Sequence, residues 1–192
     1  MPTQLICAML GYCKHYNCGI LGIGLIWMFF GLLRPGEFFS LRYCDVSFTV
    51  IGSAYAALTH TKTNRAKNNA AEMACIKDGP ATALLRQWMG ERNDQTLVFT
   101  GSPTIYRGLF DQCLTFLVNE AHEFKLYSLR RGGASRLIEF LPMEVLLIRG
   151  RWGSTKTART YIESARAEVI WFKFEPELMT KLNKYAQYLL ND

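Results

Sequence analysis

Apolar positions recur at helical spacing along most of this chain and alternate only in a short stretch between residues 46 and 76. Residues 3–14 read as one helix. Residues 18–33 read as a second, and because it is apolar on every side it belongs in the middle of the fold. Its end delivers Arg34; Pro35-Gly36 breaks the helix, and residues 37–43 form a short following helix before Asp45. Residues 46–51, 55–60 and 70–76 are β-like, and the polar loop 61–69 (TKTNRAKNN) joins the last two, so a small antiparallel sheet with a basic hairpin is expected. Helices dominate after it. Asp78 with Pro80 opens one that runs to Glu91, and Ser102 with Pro103 forms an N-cap and first-position pair for another that runs to His122. Residues 127–140 form the helix bearing Arg130, Pro142 starts one that stops at Gly150, and Ser154 or Thr155 caps the helix that carries Tyr161. After Pro176 the last helix, 177–190, places Leu178, Leu182, Tyr185 and Leu189 on one face. The expected fold is mainly α with a small antiparallel β-sheet (α+β).

Composition narrows this to one globular domain spanning residues 1–192. The chain is 49% hydrophobic and 20% charged, without repeat or low-complexity tract, and 192 residues can bury about two thirds of their unfolded surface. The uncharged run from Cys18 to Leu33 has 16 residues, short of the ~20 a bilayer core requires, and contains four glycines. No basic signal-peptide flank precedes it, so it is expected to be a core helix, with no membrane partner. Cys7, Cys13, Cys18, Cys44, Cys75 and Cys113 form no CxxC pair and no His/Cys ligand spacing. They read as reduced core thiols of an intracellular protein, and no metal site is expected.

Charge is where the picture sharpens. Between Lys125 and Lys173 stand ten basic residues and four acids, so this stretch carries the whole net charge of +6. A polyanion is the natural partner of such a face. Within and ahead of it lie three basic motifs. In GLLRPGEFFSLR (31–42), Arg34 directly follows an apolar helix; in YSLRRGGAS (127–135), Arg130 sits at a helix start with paired glycines behind it; in GRWGSTKTARTYI (150–162), Tyr161 stands nine positions after Trp152 on a basic, helix-prone run. A tyrosine so placed can act as a nucleophile.

Taken in this order, the three motifs resemble the catalytic domain of the tyrosine recombinase (phage integrase) family. The resemblance covers residues 31–163, and it implies an enzyme that breaks and rejoins DNA through a 3′-phosphotyrosine in site-specific recombination or integration, with no cofactor and no nucleotide. Charge building on the phosphate would meet Arg34 and Arg130, whose planar forks bind phosphate oxygens and stay protonated, with Arg131 and Arg151 as competitors for that role. Lys62 resembles the family's hairpin lysine, which protonates the leaving 5′-oxygen; Lys67 on the same loop is the alternative. Tyr161 would attack phosphorus, Trp152 fits the family's His-or-Trp position, and Glu37 resembles the acidic residue that orients the arginines. Arg65, Lys67, Arg131, Arg151, Lys156 and Arg159 are the expected DNA contacts.

Two departures stand out. Tyr127 occupies the position where the family usually has histidine or lysine, and a phenol with a pKa near 10 is a poor proton acceptor at neutral pH. Only 33 residues precede Arg34, so the helical clamping domain that usually leads the catalytic one is expected to be absent. The alternative reading is a DNA-binding module that keeps this fold with weakened catalysis. The resemblance also implies double-stranded DNA as partner, self-association on it as a dimer or tetramer, and location with the DNA, in the nucleus or the nucleoid. The 177–190 helix either exchanges onto a neighbouring protomer, as in the family, or packs on its own core.

Overall fold

The apolar run that begins at Cys18 forms a central helix shorter than its composition suggests, and where it stops decides where the candidate chemistry sits. The computed structural model describes residues 1–58, 72–118, 124–161 and 174–190. In chain order these contain α1 (Thr3–His15), α2 (Gly19–Phe29), α3 (Pro35–Phe39), a 3-10 turn (Tyr43–Asp45), β1 (Val46–Phe48), β2 (Ala54–Leu58) and β3 (Glu72–Ile76). There follow α4 (Gly79–Met89), α5 (Pro103–Val118), α6 (Leu126–Leu137), α7 (Met143–Gly150), α8 (Thr155–Arg159) and α9 (Pro176–Gln187). The expected mainly helical architecture with a small antiparallel sheet is what the described residues form.

Helix α2 is buried at every position from residue 21 to residue 29, and α1, α4, α5 and α6 surround it. The expectation that it continues to Leu33 is corrected. Leu32 takes a left-handed backbone (φ 53°), and the Leu33 amide donates to the Trp27 carbonyl at 3.1 Å, which closes the helix. The chain can fold back over Trp27 because residue 31 is glycine; a Cβ there would stand 2.8 Å from the Trp27 carbonyl oxygen. Arg34 is therefore presented by extended backbone rather than by a helix end.

The short helix after it begins at Pro35, not Glu37, and ends at Phe39, not Tyr43. Proline's fixed φ suits the first helical position, so Pro35 starts this helix as well as terminating the previous one. Tyr43–Asp45 forms a separate turn, with the Asp45 carboxylate accepting from the Arg42 amide at 3.0 Å.

The sheet runs β1-β2-β3, antiparallel throughout, with Ala56 opposite both Val46 and Ala74. Ala54, Ala56, Leu58, Ala74 and Ile76 face the core, so the alternation of the sequence is that of a half-buried sheet. The loop 61–69 lies outside the described residues. Helix α9 packs on α1 of the same chain through Leu182 and Tyr185, and a Cβ on Gly11 would meet the Tyr185 carbonyl oxygen at 1.7 Å. Of the six free cysteines, Cys13 and Cys113 are buried while the other four are half-buried, so the core-thiol expectation holds for two. Among the described residues no helix is long and apolar enough to cross a membrane.

Two hydrophobic clusters result. The larger surrounds α2; the smaller joins Leu32, Ala134, Leu137, Leu146, Trp152 and Ala158, with Tyr161 packed against it. Helix α6 bridges them by lying directly on the end of α2. A Cβ on Gly133 would stand 1.9 Å from the Phe29 carbonyl oxygen, and one on Gly132 would stand 2.3 Å from the Met1 carbonyl oxygen. The paired glycines behind Arg130 are thus a contact surface.

Gly133→Ala tests this seam through the sign of its effect. Helix propensity alone favours alanine by about 1 kcal/mol. Overpacking at the Phe29 carbonyl should outweigh it, with a net loss of about 1–3 kcal/mol in urea denaturation. A stabilised variant would show that the helices can separate at little cost.

Candidate active site

The second turn of α6 carries Arg130 inward. It is fully buried, and its Nη1 and Nη2 donate to the carbonyl oxygens of Leu32 and Gly150, joining the end of α2 to the end of α7. It forms no ion pair among the described residues. Its Nε is buried without a partner. Only the left-handed turn at Leu32 points that carbonyl at the guanidinium, a strained state costing about 1–3 kcal/mol for a non-glycine residue.

Glu37 lies on the far side of the same turn, in the first turn of α3. One carboxylate oxygen accepts from Arg34 Nη1 at 2.5 Å; the other accepts from the Arg34 amide and from Arg151 Nη2, both at 2.7 Å. Glu37, expected to orient the arginines, hydrogen-bonds Arg34 and Arg151. Arg34 keeps a third of its side chain exposed, whereas Glu37 and Arg151 are 7% and 6% exposed.

Arg151 departs from expectation. Its position in the basic motif predicts a DNA-facing cation, but its side chain is inside. Nη2 also donates to the Leu32 carbonyl at 3.0 Å, Nη1 donates to the Arg149 carbonyl at 3.3 Å, and Nε lies 3.6 Å from Glu72 of β3. The cause is backbone geometry. The Trp152 amide donates to Leu147 and the Arg151 amide to Ile148, a helix end that needs a left-handed residue between Gly150 and Trp152. Arg151 supplies it with φ 54°, which turns its side chain back toward the helix ends.

Aromatic rings close one side. Trp152 is buried over Gly150, where a Cβ would stand 2.2 Å from the indole. Tyr161, just beyond α8 rather than within it, lies 5.1 Å from Trp152 and 6.3 Å from Tyr127 between ring centroids. The Arg130 guanidinium carbon sits 5.1 Å from the Trp152 ring and 5.5 Å from the Tyr161 ring. These contacts favour the cation by about 0.5–2 kcal/mol each. The Trp152 indole N–H is buried without an acceptor, and Tyr127 is 42% exposed.

Electrostatics follow from this crowding. Burial and the like charges of Arg151 and Arg34 lower the Arg130 pKa to about 10, which leaves it protonated at neutral pH. Burial alone would raise Glu37, yet Arg151, the Arg34 amide, the Arg34 guanidinium and Arg130 together hold it below the usual carboxylate value. Burial likewise opposes the Arg34 charge, and Glu37 overturns that to raise its pKa. Burial and the neighbouring Tyr161 raise Tyr127 above an ordinary phenol. Arg34 and Arg151 thus share the Glu37 carboxylate, with Arg130 held beside them by carbonyl oxygens and Glu72 at longer range. The site carries surplus positive charge beside a phenol and an unused indole donor, a setting suited to an anion.

Lys62, Arg65 and Lys67 lie outside the described residues. Arg131 is exposed on α6, and Lys156 and Arg159 are exposed on α8. The uniform basic face expected from residues 125–173 is corrected in part. Arg130 and Arg151 are interior, Arg136 pairs with Asp78 at 2.8 Å, and Arg149 reaches toward the Cys75 carbonyl. Leu32, Gly150 and Glu72 were not legible as site residues, because two act through backbone carbonyls and the third through a sheet register. No protein-family model matches the chain, and no curated protein matches it either.

Glu37→Gln should destabilise the protein at neutral pH by up to roughly 3–5 kcal/mol, since it leaves Arg151 buried with a neutral partner. Because the folded-state carboxyl lies below 4.5, its stabilisation is complete above that pH and lost as pH falls through the lower folded value. The gap in thermal midpoint between parent and variant should therefore shrink on acidification below pH 4.5. A gap independent of pH would mean that charge is not what Glu37 contributes.

Proposed function

We propose that this chain is the catalytic domain of a DNA breaking-rejoining enzyme, a tyrosine recombinase acting through a 3′-phosphotyrosine in site-specific recombination or integration. One observation carries the reading. The three motifs that resemble the family are up to about 130 residues apart along the chain, and in the fold Arg34 pairs with Glu37 and faces Tyr161, which packs with Arg130 and Trp152. Convergence of this particular set is what strand transfer at a phosphodiester requires.

In the proposed reaction the Tyr161 oxygen attacks the scissile phosphorus and the bond from phosphorus to the 5′-oxygen breaks. The phenol proton passes to solvent water at the partly exposed Tyr161, and the departing oxygen gains a proton, for which Lys62 is the proposed donor. Charge on the non-bridging oxygens falls to Arg34, which is partly exposed and held by Glu37, with Arg130 behind it and the Trp152 indole N–H as a further donor. The phosphotyrosine keeps the bond energy for rejoining, so no nucleotide is needed. Lys156 and Arg159 on α8 and Arg131 on α6 are the proposed duplex contacts, and double-stranded DNA is the proposed partner. Self-association on DNA belongs to the same proposal.

A denaturing gel of the chain with a nicked duplex tests this directly. The parent should form a covalent protein–DNA adduct, and Tyr161→Phe should abolish it while leaving fold and DNA affinity in place. Arg34→Ala should lower cleavage by on the order of a hundredfold, as loss of a preorganised charge-stabilising donor does. DNA binding without any adduct would leave a recombinase-like binding module, the alternative reading.

The proton donor is tested on a substrate whose bridging 5′-oxygen is replaced by sulfur, because a thiolate leaves without protonation. Lys62→Ala should slow cleavage of the oxygen substrate and affect the sulfur substrate little. Equal losses on both would remove Lys62 from that role.

A further inference from the structure

Arg151 is a cation next to the proposed catalytic tryptophan, in a chain expected to bind DNA, yet it is turned away from solvent. Its Nη groups donate to protein acceptors, the Glu37 carboxylate, the Leu32 carbonyl and the Arg149 carbonyl, while its Nε lies 3.6 Å from Glu72 without a hydrogen bond. The same two acceptors, Glu37 and Leu32, also receive Arg34 and Arg130. Arg151 therefore touches both groups that hold Arg34 and Arg130, and like Arg130 it has its Nη groups engaged by protein acceptors, whereas Arg34 is partly exposed.

Resting on the recombinase reading for its catalytic consequence, we infer that Arg151 is a positioning residue, fixing the Glu37 carboxylate so that Arg34 is held for the phosphate and making no contact with DNA. The geometry explains how. Glu37 has two oxygens and two guanidinium partners. With Arg151 on one oxygen, Arg34 receives the other through a single Nη and keeps the rest of its fork for a ligand. Without Arg151, both carboxylate oxygens become available to the Arg34 and Arg130 guanidiniums, and a bidentate pair would draw a fork inward. The site also loses one of the cations that keep a buried carboxyl ionised. The charged and titratable groups around Glu37 are Arg34 at the start of its own helix, Arg130 from α6 and Arg151 from the end of α7. Glu72 of β3 lies beyond Arg151, and Tyr127 and Tyr161 face Arg34.

Arg151→Gly is the informative variant, because glycine accepts the left-handed backbone that Arg151 occupies and only the side chain is lost. Three readouts bear on it. Cleavage should fall about 10–100-fold, the usual effect of removing a group that orients a ligand-binding residue. Duplex affinity should change little and its slope against log salt should stay at the parent value, whereas Lys156→Ala should reduce the slope by about one. The ¹³C carboxyl resonance of Glu37, identified by its loss in Glu37→Gln, should titrate at higher pH in Arg151→Gly than in the parent. Cleavage should then acquire an acid limb that follows this titration, and the limb should be absent from the Arg151→Gly, Glu37→Gln double variant.

Arg151→Lys, which restores charge without the fork, should recover part of the rate, and it replaces Arg151→Gly in every comparison if the glycine variant does not fold. A salt slope reduced by about one with an unmoved Glu37 titration would overturn the inference and make Arg151 a phosphate contact. Parental cleavage in Arg151→Gly would overturn it too. If the parent forms no adduct dependent on Tyr161, the recombinase reading fails instead, while the Glu37 titration and the salt slope still decide whether Arg151 acts on Glu37 or on DNA.

Discussion

A buried carboxylate shared between two arginines organises the part of this protein where its chemistry is expected. Glu37 joins the amide and side chain of Arg34 to the guanidinium of Arg151, and the Leu32 carbonyl beside it receives Arg130 and Arg151. These two acceptors hold together the turn after α2, the first turn of α3, the start of α6 and the end of α7. Burying so many charges is unfavourable unless each is paired and hydrogen-bonded. The arrangement meets that condition for Glu37 and only partly for the arginines, whose Nε groups at positions 130 and 151 lack acceptors. The imbalance is what leaves the site electropositive.

Backbone strain sustains this geometry. Among the described residues the left-handed non-glycine ones are Asn17, Leu32 and Arg151, and the last two contact each other through a carbonyl and a guanidinium. Leu32 turns its carbonyl toward the arginines while its side chain enters the smaller hydrophobic cluster. Arg151 ends α7 where glycine is the usual choice, so that its side chain folds back. In each case side-chain contacts hold a backbone state that the residue alone would avoid. The close seating of α6 on α2, made possible by Gly132 and Gly133, sets the distance across which Arg130 must reach.

On the proposed reading this has a consequence for how the chain divides its positive charge. Arg130 and Arg151 are interior and act within the site, Arg136 and Arg149 tie helices to the sheet side of the molecule, and exposed Lys156 and Arg159 remain for long-range attraction of a duplex. Net charge is thus a poor guide to the number of phosphate contacts. Tyr127 lies beside Tyr161, which itself packs on Trp152, so the site presents a phenol pair in place of a phenol and an imidazole.

Much of the fold was legible because local physics writes it into the chain. The β-alternation between residues 46 and 76, the cap pairs Asp78-Pro80 and Ser102-Pro103, and the amphipathic last helix each reflect burial or capping that neighbours in sequence decide, and each appears in the structure. The candidate site residues, arginine, tryptophan and tyrosine in a set order, were legible through the resemblance of their motifs to a family and not through local burial or capping. What only tertiary structure decided was direction. That α2 stops at Phe29, that Pro35 starts a helix, and that Arg151 turns inward while Arg34 stays partly exposed all depend on contacts between segments far apart in the chain. A left-handed Leu32 has no signature in sequence, since leucine disfavours it. It exists because Arg130 and Arg151, 98 and 119 residues away, both bond its carbonyl.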